Sequence, residues 1–230
     1  MEILAMIPAR LSSKRILRKN IRYLCGKPLI QYPIDLALDS GLFSGIWVTS
    51  EAAELKRAVE AMGVKFHQRP AEHSSDQATN RGFTYDFMIN HNCDYVVMIN
   101  TTSPLLRPET LVGFVEMVKT NNYDTILSVI SEKAESFYLD KPLNFSPALK
   151  INSQMLEPVE KVMWALTAWK RSTFIENYEC GNEPVFGGKL GKYVIPKDES
   201  CDLDTPEDWN IAKGILISRQ IEDDNIYLDL

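Results

Sequence analysis

The feature that most constrains this chain is a change of period that repeats along its first 130 residues. Short apolar runs alternate with longer segments whose apolar residues recur at helical spacing. Ile3–Ile7, Ile46–Val48, Val64–His67, Tyr95–Ile99 and Thr125–Ile130 read as strands. Leu29–Ser40, Glu51–Met62, Asp76–Asn90 and Pro108–Thr120 read as helices. Gly41 and Gly63 follow two of these helices, and Pro108 opens another. Both are ordinary helix punctuation. Strand and helix in this rhythm make βαβ units, hence a mostly parallel sheet with helices on both faces.

The rhythm breaks near Ser131. Residues 132 to about 190 are rich in Pro and Gly, with extended candidates at Ala148–Ile151 and Val162–Trp169 and a short helix from Ser172. Such a length is too great for a bare loop, so the segment is expected to be an inserted arm on a single domain spanning 1–230. Its Phe137, Tyr138, Leu139, Met163, Trp164, Leu166, Trp169 and Phe174 need cover, from the arm's own domain or from a partner. Tyr193–Ile195 returns to the sheet. Thr205 as cap, Pro206 and two acids open a last helix. The acidic tail 222–230 is expected to fray.

Composition narrows the function classes. The chain has 230 residues and a net charge of −6, which argues against duplex nucleic acid as a partner. Its apolar runs are far below the ~18 residues of a membrane span. Glu2 and the short run after it do not make a secretory signal. Four scattered cysteines suit free thiols in a reducing compartment, so a cytoplasmic location is expected.

In open α/β sheets ligands bind beyond the carboxyl ends of the strands, which directs attention to the loops. Between Arg10 and Asn20 the chain carries five cations: Arg10, Lys14, Arg15, Arg18 and Lys19. Small Ser12 and Ser13 would let backbone approach a ligand. The stretch reads either as a polyphosphate cradle or as a solvated basic loop. It is neither a P-loop nor GxGxxG. Asp202-Leu203-Asp204 offers two carboxylates on alternate positions of an extended chain. They read as a Mg²⁺ pair completed by phosphate oxygens, or as a helix-start acid cluster continued by Glu207 and Asp208. Arg69–Glu72 and Asn100–Pro104 follow two further strands. Asn100 stands where a ligand-reading side chain or a loop cap would be.

In this order the segments resemble the acylneuraminate cytidylyltransferase (CMP-sialic acid synthetase) family, which activates acidic keto sugars. The family's IPARGGSKGIPRKN is similar to Ile7–Asn20, IPARLSSKRILRKN, and its GKPLI stands unchanged at Gly26–Ile30. Its RPAEL, D-x-A-S, QPTSP and SxDIDTPED resemble the stretches at Arg69–His73, Asp76–Thr79, Asn100–Pro104 and Ser200–Asp208. The resemblance implies a Rossmann-like, three-layer nucleotidyltransferase fold with a dimerisation arm. It implies transfer of CMP from CTP to the anomeric hydroxyl of a 2-keto-3-deoxy sugar acid, with release of pyrophosphate and Mg²⁺ as cofactor. Arg10, Lys14, Asp202 and Asp204 would be catalytic, the two aspartates holding the metal. Ala9, Arg10, Ser13, Lys14, Lys19, Asn20, Arg69, Ala78 and Asn80 would bind nucleotide, and Asn100 the sugar. A homodimer is implied in which each arm lines the other subunit's site.

Departures fall mostly on the sugar side. Both loop glycines are replaced, by Leu11 and Ser12. A family arginine falls at about Ser153, and an Asn-Gly pair falls at about Met163-Trp164. Other readings of the same motifs are a CTP- or CMP-binding homologue without turnover, and a nucleotidyltransferase for another sugar or NTP.

Overall fold

The computed structural model describes residues 1–74, 79–120 and 122–221. The elements in chain order are β1 (Ile3–Pro8), the hairpin β2 (Tyr23–Leu24) and β3 (Lys27–Pro28), α1 (Gln31–Ser40), β4 (Gly45–Ser50), α2 (Leu55–Ala61) and β5 (Lys65–Gln68). Then come α3 (Asn80–Asn90), β6 (Tyr95–Ile99), α4 (Pro108–Thr120), β7 (Thr125–Glu132) and a second small hairpin, β8 (Phe137–Tyr138) with β9 (Lys141–Pro142). β10 (Val159–Lys170), α5 (Arg171–Glu179), β11 (Leu190–Val194) and α6 (Pro206–Ser218) complete the fold.

Seven strands form one sheet in the order β11-β7-β10-β6-β1-β4-β5. β1 pairs parallel with β4 and β6, β4 with β5, and β7 with β11. β10 runs antiparallel to both of its neighbours, β6 and β7. Period-two alternation along β1 sends its residues to opposite sides. Ile3, Ala5 and Ile7 pack with Ile34 of α1, Val59 of α2 and Phe114 of α4. Leu4 and Met6 pack with Phe87 of α3 and Phe174 of α5. That is the expected three-layer sandwich.

The expected arm divides. β10 is a central strand: Leu166 and Trp169 are fully buried, as is Phe174 on α5, so these residues are covered by their own domain. The region that leaves the sheet is therefore shorter than 132–190, running from the end of β7 to the start of β10. Phe137, Tyr138, Leu139, Leu143, Leu149 and Met155 lie on it with more than half their surface exposed. The expected strand at Ala148–Ile151 reduces to one bridge, Ser146 to Leu149.

Local chemistry explains the boundaries. Cys25 and Gly26 both have positive φ, 45° and 94°, between β2 and β3. A two-residue hairpin of that hand needs this conformation, and glycine adopts it without strain. α6 carries the expected cap as a full capping box, Thr205 with Asp208. α2 starts at Leu55 rather than Glu51. α3 starts at Asn80, while Ser75–Ala78 and the tail 222–230 lie outside the described residues. No helix among the described residues is long and apolar enough to cross a membrane.

Candidate active site

A cavity of about 390 Å³ opens beyond the carboxyl ends of β1, β5 and β6. Among its lining residues are Ala9, Arg10, Lys19, Asn20, Arg69, Asn80, Asn100 and Asp202. Eight of the expected site residues thus meet in one place, although they come from loops up to 193 positions apart in the chain.

Ile16 carries the basic loop into place. It is buried against Leu24, Leu29, Leu203 and Trp209, so the loop is anchored at its middle rather than solvated along its length. Arg10 then faces the cavity, while Lys14 is exposed and outside the lining. Ser13 is buried, and its hydroxyl has no hydrogen-bond partner among the described residues. Asn20 is buried too: its Nδ2 donates to the Arg10 carbonyl at 3.0 Å, while Oδ1 has no partner among the described residues. Asn20 lines the cavity, but its Oδ1 is sealed from solvent, so it stands as an orphaned buried acceptor beside the cavity.

Arg69 is 4% exposed, and its guanidinium is held on three sides. It donates to the Ala9 carbonyl at 3.0 Å, to Glu51 Oε2 at 3.1 Å and to Ser74 Oγ at 3.0 Å. Ser74 donates in turn to Glu51 Oε2 at 2.8 Å, and Leu11 N–H donates to Glu51 Oε1 at 3.3 Å. Burial alone would raise the Glu51 carboxyl, but its hydrogen bonds and Arg69 outweigh that and hold it below its ordinary value. Burial lowers Arg69, with Glu51 opposing. The pair fixes a cation in the wall and ties the β1 loop to β4 and β5. Sequence reasoning passed over Glu51 as a helix-start acid. No local signal marks it, because its partner Arg69 lies 18 positions on and meets it only in the fold.

The two aspartates part company. Leu203 between them is fully buried, and its N–H donates to the Thr102 carbonyl at 2.9 Å. Asp202 lines the cavity beside Thr102. Burial pushes its carboxyl up, the Thr102 hydroxyl draws it down, and Asp204 adds a repulsion that raises it. Asp204 is outside the lining, 3.1 Å from both Arg15 and Lys19. Lys19, which lines the cavity, also donates to the Leu203 carbonyl, so one lysine holds both Leu203 and Asp204. Asp202 thus presents an oxygen ligand to the cavity, whereas Asp204 would join it at a hard cation only on release from Arg15 and Lys19.

At the other side, Asn100 Oδ1 accepts from the Thr102 N–H at 3.4 Å, which leaves Nδ2 as the donor. His73, Ser74, Phe83, Thr101 and Trp164 also line the cavity and were not singled out as site residues. Trp164 appeared as an apolar residue of the arm in need of cover and as a departure from the family pattern. Ala78 lies outside the described residues.

An open, mostly parallel sheet with phosphate-type donors at its carboxyl edge defines a nucleotide-binding α/β protein. Residues 4–155 match the family described as cytidylyltransferase, and the chain belongs to that family. It is 31% identical over 225 residues to N-acylneuraminate cytidylyltransferase A from Danio rerio, covering 92% of this chain and 50% of that one. It is 29% identical to CMP-N,N'-diacetyllegionaminic acid synthase from Legionella pneumophila, covering 94% of this chain and 97% of that one. The chain spans about half the length of the N-acylneuraminate cytidylyltransferases it matches. In fold it is similar to a CMP:2-keto-3-deoxy-manno-octonic acid synthetase complexed with CTP, with a TM-score of 0.71 at 18% identity over 96% of this chain and 100% of that one.

Proposed function

We propose that this chain transfers CMP from CTP to the anomeric hydroxyl of a 2-keto-3-deoxy sugar acid and releases pyrophosphate. The observation that carries this reading is the order of groups across the cavity: buried Arg69 after β5 at one end, Arg10 after β1 in the middle with Asn20 bonded to its carbonyl and Lys19 beside Asn20 in the chain, and Asn100 after β6 at the other. Cytosine presents the O2 and N3 acceptors, which the Arg69 donors complement. Arg10 and Lys19 neutralise the triphosphate, with Lys14 at the outer rim of the same loop. Asn80, first residue of α3, borders the base, and Asn100 Nδ2 donates to the acceptor.

Attack by the acceptor oxygen on the α-phosphorus forms one P–O bond and breaks another, with pyrophosphate leaving in line. Such a transfer needs positioning and charge neutralisation more than covalent help. Asp202 and Asp204 are the residues that would hold Mg²⁺, which supplies charge neutralisation at the phosphates. The named relatives support the keto sugar acid as acceptor class. Four free cysteines accord with a cytoplasmic location. The exposed aromatic and aliphatic side chains between β7 and β10 support a homodimer built through that segment. A two-fold axis would let each segment approach the other subunit's site.

Pyrophosphate release from CTP, ATP, GTP and UTP with a panel of keto sugar acids tests the reaction. Release only with CTP, in the presence of one of these acids and of Mg²⁺, is expected. CTP binding with no release for any acid would identify a binder without turnover.

A further inference from the structure

The crevice has two chemically different ends. Going across the sheet from β5 to β10 takes four strand spacings, through β4, β1 and β6, or about 19 Å at about 4.8 Å each. Arg69 follows β5, Arg10 follows β1, Asn100 follows β6, and Trp164 belongs to β10. A nucleotide with its base at Arg69 and its phosphates at Arg10 and Lys19 leaves the β6–β10 end to the acceptor. Trp164 is the wall there.

An irregularity of β10 aims this side chain. The pairing with β7 runs from Val162↔Val129 to Thr167↔Leu127, so five positions of β10 (167 − 162) stand against two of β7 (129 − 127). Ser128 fills the gap in the ladder. Its hydroxyl donates to the Met163 carbonyl and accepts from Leu166 N–H at 3.0 Å. The Ala165 carbonyl meanwhile accepts from Asn100 N–H at 2.9 Å, which sets Trp164 beside the loop after β6. Bulges redirect side chains in this way next to ligand sites. The indole packs on Phe186, ring centroids 5.8 Å apart and tilted by 56°. Phe186 is itself half exposed, so the aromatic surface continues outward from the cavity.

We propose that Trp164, backed by Phe186, selects the acceptor by its substituent: it favours a keto sugar acid that presents an apolar group, an acylamino methyl or a deoxy carbon, over one that presents hydroxyls there. The proposal rests on the cytidylyl-transfer reading above. A methyl group loses nothing on leaving water for an aromatic wall. A hydroxyl pressed against the same wall gives up its water without a replacement partner. Ser128 is a positioning residue in this scheme, acting through the bulge.

The test compares kcat/KM, at saturating CTP, for two nonulosonic acids of the same ring configuration. One carries a second acylamino group and a terminal methyl; the other carries hydroxyls at those positions. The wild-type chain is expected to favour the first by about tenfold or more, the scale of discrimination by a small apolar group. Trp164→Ala should bring the ratio to about one, Trp164→Phe should keep most of it, and Ser128→Ala should lower it part of the way. CTP affinity of each variant, measured by calorimetry, reports an intact fold. A wild-type preference for the hydroxylated acid overturns the proposal, as does an unchanged ratio in a Trp164→Ala protein that still binds CTP. Transfer to neither acid by the wild-type chain overturns the proposal, and failure of every acid in the wider panel to give pyrophosphate release brings down the cytidylyl-transfer reading as well.

Discussion

The β5 end and the β10 end of the crevice are built by opposite means. At the β5 end, polar groups are sunk into the wall and locked by one another: Arg69, Glu51 and Ser74 share three mutual hydrogen bonds of 3.1 Å or less. At the β10 end the wall is aromatic, partly exposed, and set by a bulge in an antiparallel strand. A locked polar wall suits a ligand part that never varies. A wall of one large side chain can be altered by a single substitution without dismantling the sheet. The two ends should therefore respond to mutation in separable ways.

The largest effect is expected between the ends, at the phosphates. Asp202→Asn keeps the shape of the side chain and removes its charge. It should lower kcat at least about 10³-fold, roughly 4 kcal/mol of barrier, with the melting temperature little changed. Turnover near the wild-type rate, at saturating Mg²⁺, would remove Asp202 from the machinery.

Glu51→Ala comes next and bears directly on the contrast. It strands the Arg69 guanidinium in a buried site, a change that typically destabilises by about 3–5 kcal/mol. Chemical denaturation measures that loss. In whatever folds, KM for CTP should rise about tenfold or more while the preference between acceptors stays as it was. A changed acceptor preference would mean the two ends are coupled.

Within the basic loop the effect should be graded. Arg10→Ala removes a cavity-lining cation and should reduce kcat/KM for CTP about tenfold to a hundredfold. Arg18 is exposed and outside the cavity, so Arg18→Ala should stay within about twofold of wild type. Equal losses for the two would mean that the loop acts as diffuse charge.

The smallest effect concerns the support behind the β5 end. His91 Nε2 lies 3.0 Å from His67 Nδ1. Burial first, then His67 and Lys65, press the His91 pKa from 6.5 down to about 4. Between those values the unfolded chain binds a proton that the folded chain refuses, so this contribution to stability is whole above pH 6.5 and declines as the pH falls towards 4. Urea midpoints at pH 7.5 and pH 5 should differ more for wild type than for His91→Phe.

Much of this molecule is determined locally and so is legible in the sequence. Strand and helix order through residue 130 follows from periods of 2 and 3.6, because each element must bury one face. The cap of α6 follows from backbone chemistry over three or four residues. The loops that reach the cavity lie directly after strands, and the strand-end rule found most of their residues. Tertiary structure decided the rest. Val162–Trp169 reads as an extended stretch within an insertion, yet β10 fills the slot between β6 and β7, because only there can Leu166, Ala168 and Trp169 be buried on both faces of the sheet. Nothing within a few residues of Glu51 marks it as the counter-charge of Arg69, 18 positions on. Asp202 and Asp204 share an alternating pattern, yet Lys19 and Arg15 hold Asp204 outside the cavity while Asp202 faces it. Periodicity follows from the chain's own geometry. Pairing across the fold depends on which groups the packed core leaves side by side, and no local pattern contains that.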